Sequence, residues 1–180
     1  MSASPVSTWL PERASGASVL EQTLGLRPDL ADPFRSFYAV FWRDRLVDPV
    51  VLELCRLRVA HLLGCGSELR VRYQPAIDGG LDEQMVERLA QWPTDAAFSD
   101  AQRAALAFAE QFVIDPHGIR GAIRDTLREH FSLPEVVALT EALALFDGFA
   151  RLRRILAVDD AATDVAIDVV DPARLDAALP

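Results

Sequence analysis

The chain has 180 residues, 51% of them hydrophobic, and it carries a net charge of −9 at pH 7. This length and composition indicate a single globular domain with one hydrophobic core. The negative charge argues against nucleic acid or an anionic membrane as a partner, because either would repel the protein. All 18 basic residues are arginine, and the absence of lysine excludes Schiff-base chemistry and a P-loop lysine.

The apolar stretches of the chain are too short for a membrane span. Charged residues interrupt each of them well before the roughly 18 residues that a spanning helix needs. The N-terminal stretch MSASPVSTWLPERASG has neither the basic start nor the apolar core of a signal peptide. We therefore expect a cytoplasmic protein that makes no contact with a membrane.

The composition divides the chain into three parts. Residues 1–17 form a polar N-terminal arm, residues 18–157 a helical domain, and residues 158–180 an acidic tail with six aspartates and one arginine. The tail is expected to be a solvated extension or a strap between subunits. Its segment DVAIDVV, residues 164–170, shows the alternation that is typical of a β-strand.

The predicted elements of the first third of the chain are helices. A short helix is expected at residues 19–24. Two Asp-Pro pairs, at 32–33 and 48–49, each suit the start of a longer helix, because aspartate caps a helix and proline fits its first turn. The first of these helices, 33–43, is rich in aromatic residues. The second, 49–63, is apolar on more than one face, as a central helix would be.

The Gly-Cys-Gly tripeptide at 64–66 is predicted to reverse the chain. A second helix, 67–77, would then run back along the preceding one, so that the two form a central helix hairpin. Glu68 and Arg72 lie one turn apart on one face of this second helix and would travel toward Glu53. The simplest structural consequence is a partly buried ion pair between Glu53 and Arg72.

The rest of the domain is also predicted to be helical, so the expected fold class is all-α. Arg151, Arg153 and Arg154 near the end of the last helix are expected to compensate its dipole and to form salt bridges. Each of the four remaining helices is preceded by Asp, Ser or Gly in a capping position, and they are expected at 82–91, 100–113, 119–131 and 134–156.

The segment around the hairpin is similar to a known superfamily. Glu53, the LRVAHL that follows it, the Gly-Cys at 64–65 and the downstream pattern GGLDEQMVERL, FSDAQRAALAFAEQF and FSLPEVVALTEALA resemble the carboxymuconolactone decarboxylase and alkylhydroperoxidase-D (AhpD-like) superfamily over about residues 30–156. The resemblance implies an AhpD-like helical bundle that assembles as a homo-oligomer.

The resemblance to the peroxidase branch is incomplete. That branch has a glutamate, a Cys-x-x-Cys pair and a histidine four residues after the second cysteine, which together reduce hydroperoxides. Glu53 matches the glutamate and Cys65 the first cysteine, but Glu68 and Arg72 stand where the second cysteine and the histidine would be. Without the Cys-x-x-Cys motif no disulfide can form across this turn, and an arginine does not exchange protons at neutral pH.

The decarboxylase-like branch often has a glutamate where Glu68 stands. This resemblance implies cofactor-free acid–base chemistry, such as decarboxylation, lyase or isomerisation chemistry, on a small anionic organic substrate. Glu53 and Glu68 are the candidate proton-transfer residues, because repulsion between two close carboxylates favours protonation of one of them. Arg72 would bind a substrate carboxylate through two parallel hydrogen bonds. His61, eight residues after Glu53 on the same helix, is a second substrate-binding candidate.

Two other functions stay open. Cys65 at a helix N-terminus would be the catalytic residue of a peroxidase or peroxiredoxin-type thiol protein that uses one cysteine and an external thiol, unless it is simply a small buried residue. A non-catalytic oligomer would have replaced the relay with a salt bridge. Cys55 in mid-helix is expected to pack in the core. No cofactor and no metal are expected, because the three histidines lack metal-binding spacing.

Overall fold

The computed structural model describes residues 25–43, 45–157 and 167–171. Within these ranges the regular structure is helical apart from two three-residue strands, which confirms the predicted all-α class. Short 3-10 turns lie at Arg88–Gln91 and Pro116–Gly118. The helices and strands are α1 (Pro28–Arg43), α2 (Pro49–Leu63), α3 (Gly66–Leu69), β1 (Val71–Tyr73), α4 (Gln74–Asp78), α5 (Glu83–Glu87), α6 (Asp100–Ile114), α7 (Ala122–His130), α8 (Leu133–Ile155) and β2 (Asp168–Val170).

Helix α2 is the central element of the fold. It packs along both α6 and α8, and most of its residues are buried. Its start is the predicted one: the Asp48 carboxylate accepts the backbone N–H groups of Val50 at 2.9 Å and Val51 at 3.1 Å, and Pro49 occupies the first turn. The helix ends at Gly64, whose φ of 63° lies in the left-handed region that favours glycine.

The core lies on both sides of α2. One side packs against aromatic residues of α1, β1, α6 and α8, and Cys55 of α2 is buried there, as predicted. The other side packs against α4, α6 and the segment before α6. The buried side chains include Tyr38, Phe41, Trp42, Tyr73, Phe108 and Phe146 on the first side, and Leu54, Leu57, Trp92, Phe98 and Leu106 on the second.

The long helices α6 and α8 agree with the predicted segments to within one residue at each end. Both begin with a capping box, in which the serine side chain accepts the N–H of a residue three positions later and that residue's side chain accepts the serine N–H. The pairs are Ser99 with Gln102 and Ser132 with Glu135. These bounds were predictable because capping depends on residues that are close in sequence.

The predicted second arm of the hairpin is wrong. Instead of one helix over 67–77, the chain forms α3, β1 and α4. In a continuous helix the carbonyl of Val71 would accept a hydrogen bond from residue 75, but Pro75 has no N–H and its ring would clash with that carbonyl. The helix therefore breaks, and α4 begins again with Pro75 in its first turn.

Strand β2 joins part of the acidic tail to the domain. It pairs in parallel with β1, with Val71 opposite Asp168 and Tyr73 opposite Val170. The strand expected within residues 164–170 is therefore present over the last three of them. This part of the tail is not the solvated extension that was one of the two expectations.

Several predictions concern residues that lie outside the described ones. These are the N-terminal arm at 1–17, the short helix at 19–24, and tail residues 158–166 and 172–180. In the part of the chain that the structure describes, no helix combines the length and the apolar character that crossing a membrane requires.

Candidate functional site

Arg56 is the centre of a buried group of charges. It lies one turn after Glu53 on α2, and the two side chains are 1% and 0% exposed. Its Nε and Nη2 donate to the two carboxylate oxygens of Glu53 at 2.8 and 2.7 Å. Its Nη1 donates to Oε2 and to the backbone carbonyl of Glu68, at 2.7 and 2.8 Å, and its Nη2 also donates to the carbonyl of Val71 at 2.6 Å. All five N–H groups of the guanidinium are therefore used.

Arg56 is charged in spite of its burial. Burial by itself lowers the pKa of Arg56, but the carboxylates of Glu53 and Glu68 together outweigh it and raise that pKa well above its ordinary value. The Tyr73 ring adds a cation–π contact, with its centroid 5.3 Å from the guanidinium carbon. Arg56 also satisfies backbone carbonyls that the broken helix leaves without helical partners.

Glu68 connects this group to the last helix. Its Oε1 accepts from Nη2 of Arg153 on α8 at 2.8 Å, and Arg153 Nη1 donates to the hydroxyl of Ser67 at 2.9 Å. Glu68 and Arg153 are 9% and 8% exposed. Glu53, Arg56, Glu68 and Arg153 form a set that we call the charge network. Its two carboxylates and two guanidinium groups balance, which is the condition under which buried charges are tolerated.

Arg72 does not pair with Glu53, contrary to the sequence prediction. Because the second helix breaks, Arg72 lies on β1, and its Nε and Nη2 donate to the carboxylate of Glu83 on α5 at 2.9 and 3.0 Å. Arg56 takes the place that was predicted for Arg72 beside Glu53. Glu53 and Glu68 are brought to one place, but as two carboxylates that Arg56 separates.

Cys65 lies at the N-terminus of α3, as predicted, and it is fully buried. Its Sγ is 3.6 Å from the hydroxyl oxygen of Ser67, which Arg153 also contacts. The thiol therefore lies beside the charge network but away from solvent. Reactive cysteines are partly exposed, so this placement is typical of a structural cysteine. Cys55 is also buried, and burial raises the pKa of its thiol.

His61 and Arg151 lie away from the charge network. His61 is exposed in the last turn of α2. Arg151 is half exposed on α8 and forms an ion pair of 2.8 Å with Asp147. His61 therefore does not join Glu53 in one site, although the two residues share a helix.

A small cavity lies beside Glu68 and Arg153. Its volume is about 30 Å³, so it holds only a few atoms. Of the five site residues predicted from the sequence, Glu68 lines this cavity and the other four do not. Four aromatic and three ionisable side chains form its wall, and they are Phe34, Tyr38, Tyr73, Phe149, Arg35, Glu68 and Arg153.

The two tyrosines of the cavity wall are neutral. Burial, then the neighbouring Tyr73 and Glu68, raise the pKa of Tyr38 well above its ordinary value. Burial, then Glu68, raise the pKa of Tyr73. The rings lie 5.8 Å apart, and Trp42 stacks on Tyr73 at 4.0 Å. Both phenols therefore keep their protons at neutral pH, and because their hydroxyls are hydrogen-bonded to each other, one of the two protons remains to be donated elsewhere.

Three wider grooves among the described residues are open to solvent, and none of the four charge-network residues lines any of the three. One of about 560 Å³ lies between α6 and α7 and includes Trp92, Arg103 and His130. Another, of about 430 Å³, is mostly apolar and includes Phe37 and Leu133. Among the described residues, no three His, Cys, Asp or Glu side chains are arranged to hold a metal ion. Converging buried charges make the small cavity the better candidate site.

Arg56 was not among the residues predicted from the sequence, whereas Arg153 was expected to compensate the helix dipole and to form salt bridges, with no partner named. A signal for Arg56 was present, because it lies three residues after Glu53 in the otherwise apolar segment VVLELCRL. A charge in such a segment is buried and needs a partner. No comparable local signal existed for Arg153, which meets Glu68 through the tertiary fold.

Comparisons with known proteins agree with this fold. Residues 28–111 match the sequence model of the Carboxymuconolactone decarboxylase family. The chain is also similar in structure to ATU0492 from Agrobacterium tumefaciens, a protein of unknown function that has been proposed to be an antioxidant defence protein AhpD. The TM-score is 0.62 at 20% identity, over 74% of this chain and 91% of that chain.

Two curated relatives are uncharacterised proteins. YnjA of Escherichia coli K12 is 28% identical over 115 residues, which cover 62% of this chain and 63% of YnjA. Rv2313c of Mycobacterium tuberculosis H37Rv is 30% identical over 107 residues, which cover 59% of this chain and 38% of Rv2313c. The chain thus spans less than two thirds of either relative. Residues 28–111 are therefore similar to the Carboxymuconolactone decarboxylase family, and the fold is similar to that of ATU0492.

Proposed function

We propose that this chain performs cofactor-free acid–base chemistry, namely decarboxylation, lyase or isomerisation chemistry, on a small anionic organic molecule, with Glu68 as the proton-transfer residue. The observation that carries the proposal is the position of Glu68, which belongs to the charge network and also lines the cavity. A carboxylate that is held in one orientation beside a cavity is suited to act as a general acid or base.

Glu53 has a positioning role in this proposal. Its side chain is 0% exposed, and both of its oxygens accept hydrogen bonds from Arg56. A general base must come within hydrogen-bond distance of the proton that it takes, and Glu53 does not line the cavity where a substrate would lie. Glu53 instead fixes Arg56, which in turn fixes one carboxylate oxygen of Glu68.

The chemistry requires one proton donor or acceptor at the cavity. In a decarboxylation, the bond between the carboxylate and its carbon breaks and carbon dioxide leaves. The electron pair that stays on the carbon takes a proton that Glu68 relays from water, which is left as hydroxide. In an isomerisation, Glu68 takes a proton from one carbon and returns it to another. The hydrogen-bonded pair of Tyr38 and Tyr73 can donate one hydrogen bond to a substrate oxygen that gains negative charge.

Arg153 and Arg35 are better placed than Arg72 and His61 to bind the substrate, because the first two line the cavity and the second two do not. Arg35 forms an ion pair of 3.0 Å with Asp32, whose side chain is 69% exposed, and a substrate anion can replace such a surface partner. The proposal also keeps a small-molecule partner, self-association as a homo-oligomer and a cytoplasmic location.

A second candidate function is a non-catalytic oligomer that has kept the fold. One observation favours it: the cavity of about 30 Å³ is too small for an organic substrate unless its wall moves. The thiol peroxidase alternative has less support, because Cys65 is fully buried and Glu68 stands at the position of the second cysteine.

The test is turnover of a panel of small carboxylic acids that includes 4-carboxymuconolactone, followed by NMR in D2O. The wild type should decarboxylate at least one acid or exchange deuterium into it. Glu68→Gln should be slower by about a hundredfold or more, which is the usual contribution of a general acid or base. Glu83→Gln, the same substitution at a surface ion pair, should keep the wild-type rate.

The failures of this test are distinct. If no acid in the panel is turned over by the wild type, the non-catalytic function is favoured. If the wild type and a folded Glu68→Gln variant turn over an acid equally fast, Glu68 is not the proton-transfer residue. The melting temperature of each variant shows whether a lost rate reflects lost folding.

A further inference from the structure

The ionisable groups in the cavity wall do not balance. Glu68, Arg153 and Arg35 line the cavity, so its wall carries two positive charges and one negative charge. The tyrosines of the wall are neutral, because burial raises the pKa of each. The charge network balances Arg153, and Asp32 balances Arg35. Because the Asp32 side chain is 69% exposed, a ligand with one negative charge can replace it at Arg35, whereas a dianion would leave an excess negative charge in a buried place.

Arg153 has a hydrogen-bond donor that is not used. Its Nη1 and Nη2 donate to Ser67 and Glu68, but its buried Nε has no hydrogen-bond partner among the described residues. The residue is 8% exposed, and an unpaired polar group at such a depth costs free energy. An anion bound beside Arg153 would supply the missing acceptor, and a carboxylate is the anion that guanidinium groups bind with good geometry.

The remaining cavity wall is aromatic. Phe34 of α1 and Phe149 of α8 stack at 5.0 Å with an angle of 13° between the rings, and Tyr38 stacks on Phe34 at 5.7 Å. Arg153 also lies over the Phe149 ring, 5.1 Å from its centroid. Flat rings gain more from stacked contacts of this kind than puckered ones do, so the wall favours a planar, unsaturated ligand.

The cavity is large enough for only one part of a ligand. About 30 Å³ accommodates a carboxylate group but not a ring. Phe34 and Phe149 are only partly buried, so these two side chains form the outer wall that a larger ligand would move apart. The carboxylate would then lie at Arg153, and the flat body would lie where Phe34 and Phe149 now stack.

We propose that this cavity binds a planar, unsaturated monocarboxylate, whose carboxylate is held by Arg153 and Arg35 and whose ring stacks between the aromatic side chains of α1 and α8. The proposal rests on the proposed function for the role of Glu68, and it narrows the substrate class of the same site. Arg153 and Arg35 are then the residues that determine specificity for a single negative charge.

The experiment is isothermal titration of the full-length protein with benzoate as the probe. Three compounds serve as matched controls: cyclohexanecarboxylate has the same charge but is not flat, benzamide is flat but neutral, and terephthalate is flat but carries two charges. Benzoate should bind at least about tenfold more tightly than each control. Equal affinity for benzoate and any of the three would overturn the corresponding part of the proposal, namely flatness, charge or charge number.

Variants of the arginine residues test whether benzoate binds in this cavity. Arg153→Met and Arg35→Met should each weaken benzoate binding by about tenfold or more. Arg151→Met is the matched control on the same helix, because Arg151 is half exposed and pairs with Asp147, and it should bind as the wild type does. If Arg153→Met does not fold, Arg35→Met carries the test, since its ion pair with Asp32 is at the surface.

The results separate this inference from the proposed function. Benzoate binding that depends on Arg153 and Arg35, without turnover of any acid, would keep the inference and reject the enzymatic function. Turnover that depends on Glu68, with benzoate affinity unchanged in both arginine variants, would reject the inference and keep the function. Binding to wild type that is unchanged in both variants means that benzoate binds elsewhere, and this also overturns the inference.

Discussion

Two arginine–glutamate pairs in this protein have nearly the same geometry but different surroundings. Arg56 contacts Glu53 through two hydrogen bonds of 2.8 and 2.7 Å, and Arg72 contacts Glu83 through two of 2.9 and 3.0 Å. The Glu53 side chain is 0% exposed, whereas that of Glu83 is 49% exposed. Water screens the half-exposed carboxylate of Glu83 but does not reach that of Glu53. Burial, and not bond length, therefore decides how much each pair contributes to stability.

The two pairs also differ in what they hold. Arg72, which is itself buried, joins β1 to the half-exposed Glu83 of α5. Arg56 holds Glu53, Glu68 and the carbonyl of Val71 at once, and through Glu68 it is connected to α8. A substitution in the Arg56–Glu53 pair should therefore also change the cavity wall, whereas a substitution in the Arg72–Glu83 pair should affect only the contact between β1 and α5.

The largest expected effect is on the free energy of unfolding when the glutamate of each pair is replaced by glutamine. Glu53→Gln should lower the free energy of unfolding by about 3–5 kcal/mol, because it leaves Arg56 buried beside an uncharged partner. Glu83→Gln should lower it by less, about 1 kcal/mol, because water screens the half-exposed Glu83 and Arg72 keeps its hydrogen bonds to the carbonyls of Leu69 and Val71. Urea unfolding of the two variants measures both values. Equal losses would mean that burial does not distinguish the two pairs.

A smaller effect concerns the reactivity of Cys65 beside the buried pair. Because the thiol is fully buried, it should react with a hydroperoxide or an alkylating reagent about a hundredfold more slowly in the native protein than in the unfolded chain. Intact-protein mass spectrometry follows the reaction, with Cys65→Ser as the control that separates it from Cys55. Rapid, saturable oxidation to a sulfenic acid at Cys65 would instead favour the one-cysteine redox function.

The smallest expected effect is the loss of stability at alkaline pH. Tyr38 and Tyr73 are the two tyrosines of the chain, and burial raises the pKa of both above the ordinary value of about 10. Above that pH the unfolded chain loses protons that the folded chain keeps, so stability falls by up to about 1.4 kcal/mol per pH unit and per tyrosine. Below pH 10 the two tyrosines should not affect stability.

Tyrosinate absorbance reports this directly, because no other tyrosine contributes. The absorbance should appear together with unfolding, as followed by circular dichroism, and not before it. Tyr38→Phe should reduce the alkaline loss of stability. Tyrosinate formation near pH 10 in a protein that is still folded would show that water reaches this region, and the contrast between the buried and the surface pair would then be weaker.

The sequence predicted the parts of the fold that depend on nearby residues. Helices α2, α6 and α8 have caps within three residues of their first turn, and these were recognised. The single helix predicted for 67–77 is wrong because Pro75 cannot donate a hydrogen bond to the carbonyl of Val71. The extended conformation of β1 also depends on β2, which lies almost a hundred residues later.

The candidate site was predictable to a similar extent. The motif around Cys65 identified Glu68, which does line the cavity. Arg56 could have been predicted as a partner of Glu53, because the two residues are three positions apart on one helix. Arg153 was not, because its contact with Glu68 requires that the end of α8 packs beside α3, and no local pattern reports such packing.

The most direct test compares the two buried glutamates by activity for each folded molecule. Glu68→Gln and Glu53→Gln are assayed on an acid that the wild type turns over, and urea unfolding gives the folded fraction of each. Glu68→Gln should lose about a hundredfold or more in rate, and Glu53→Gln should lose more stability but less than about tenfold in rate. The opposite result, with the rate lost in Glu53→Gln and kept in Glu68→Gln, would contradict the assignment of proton transfer to Glu68.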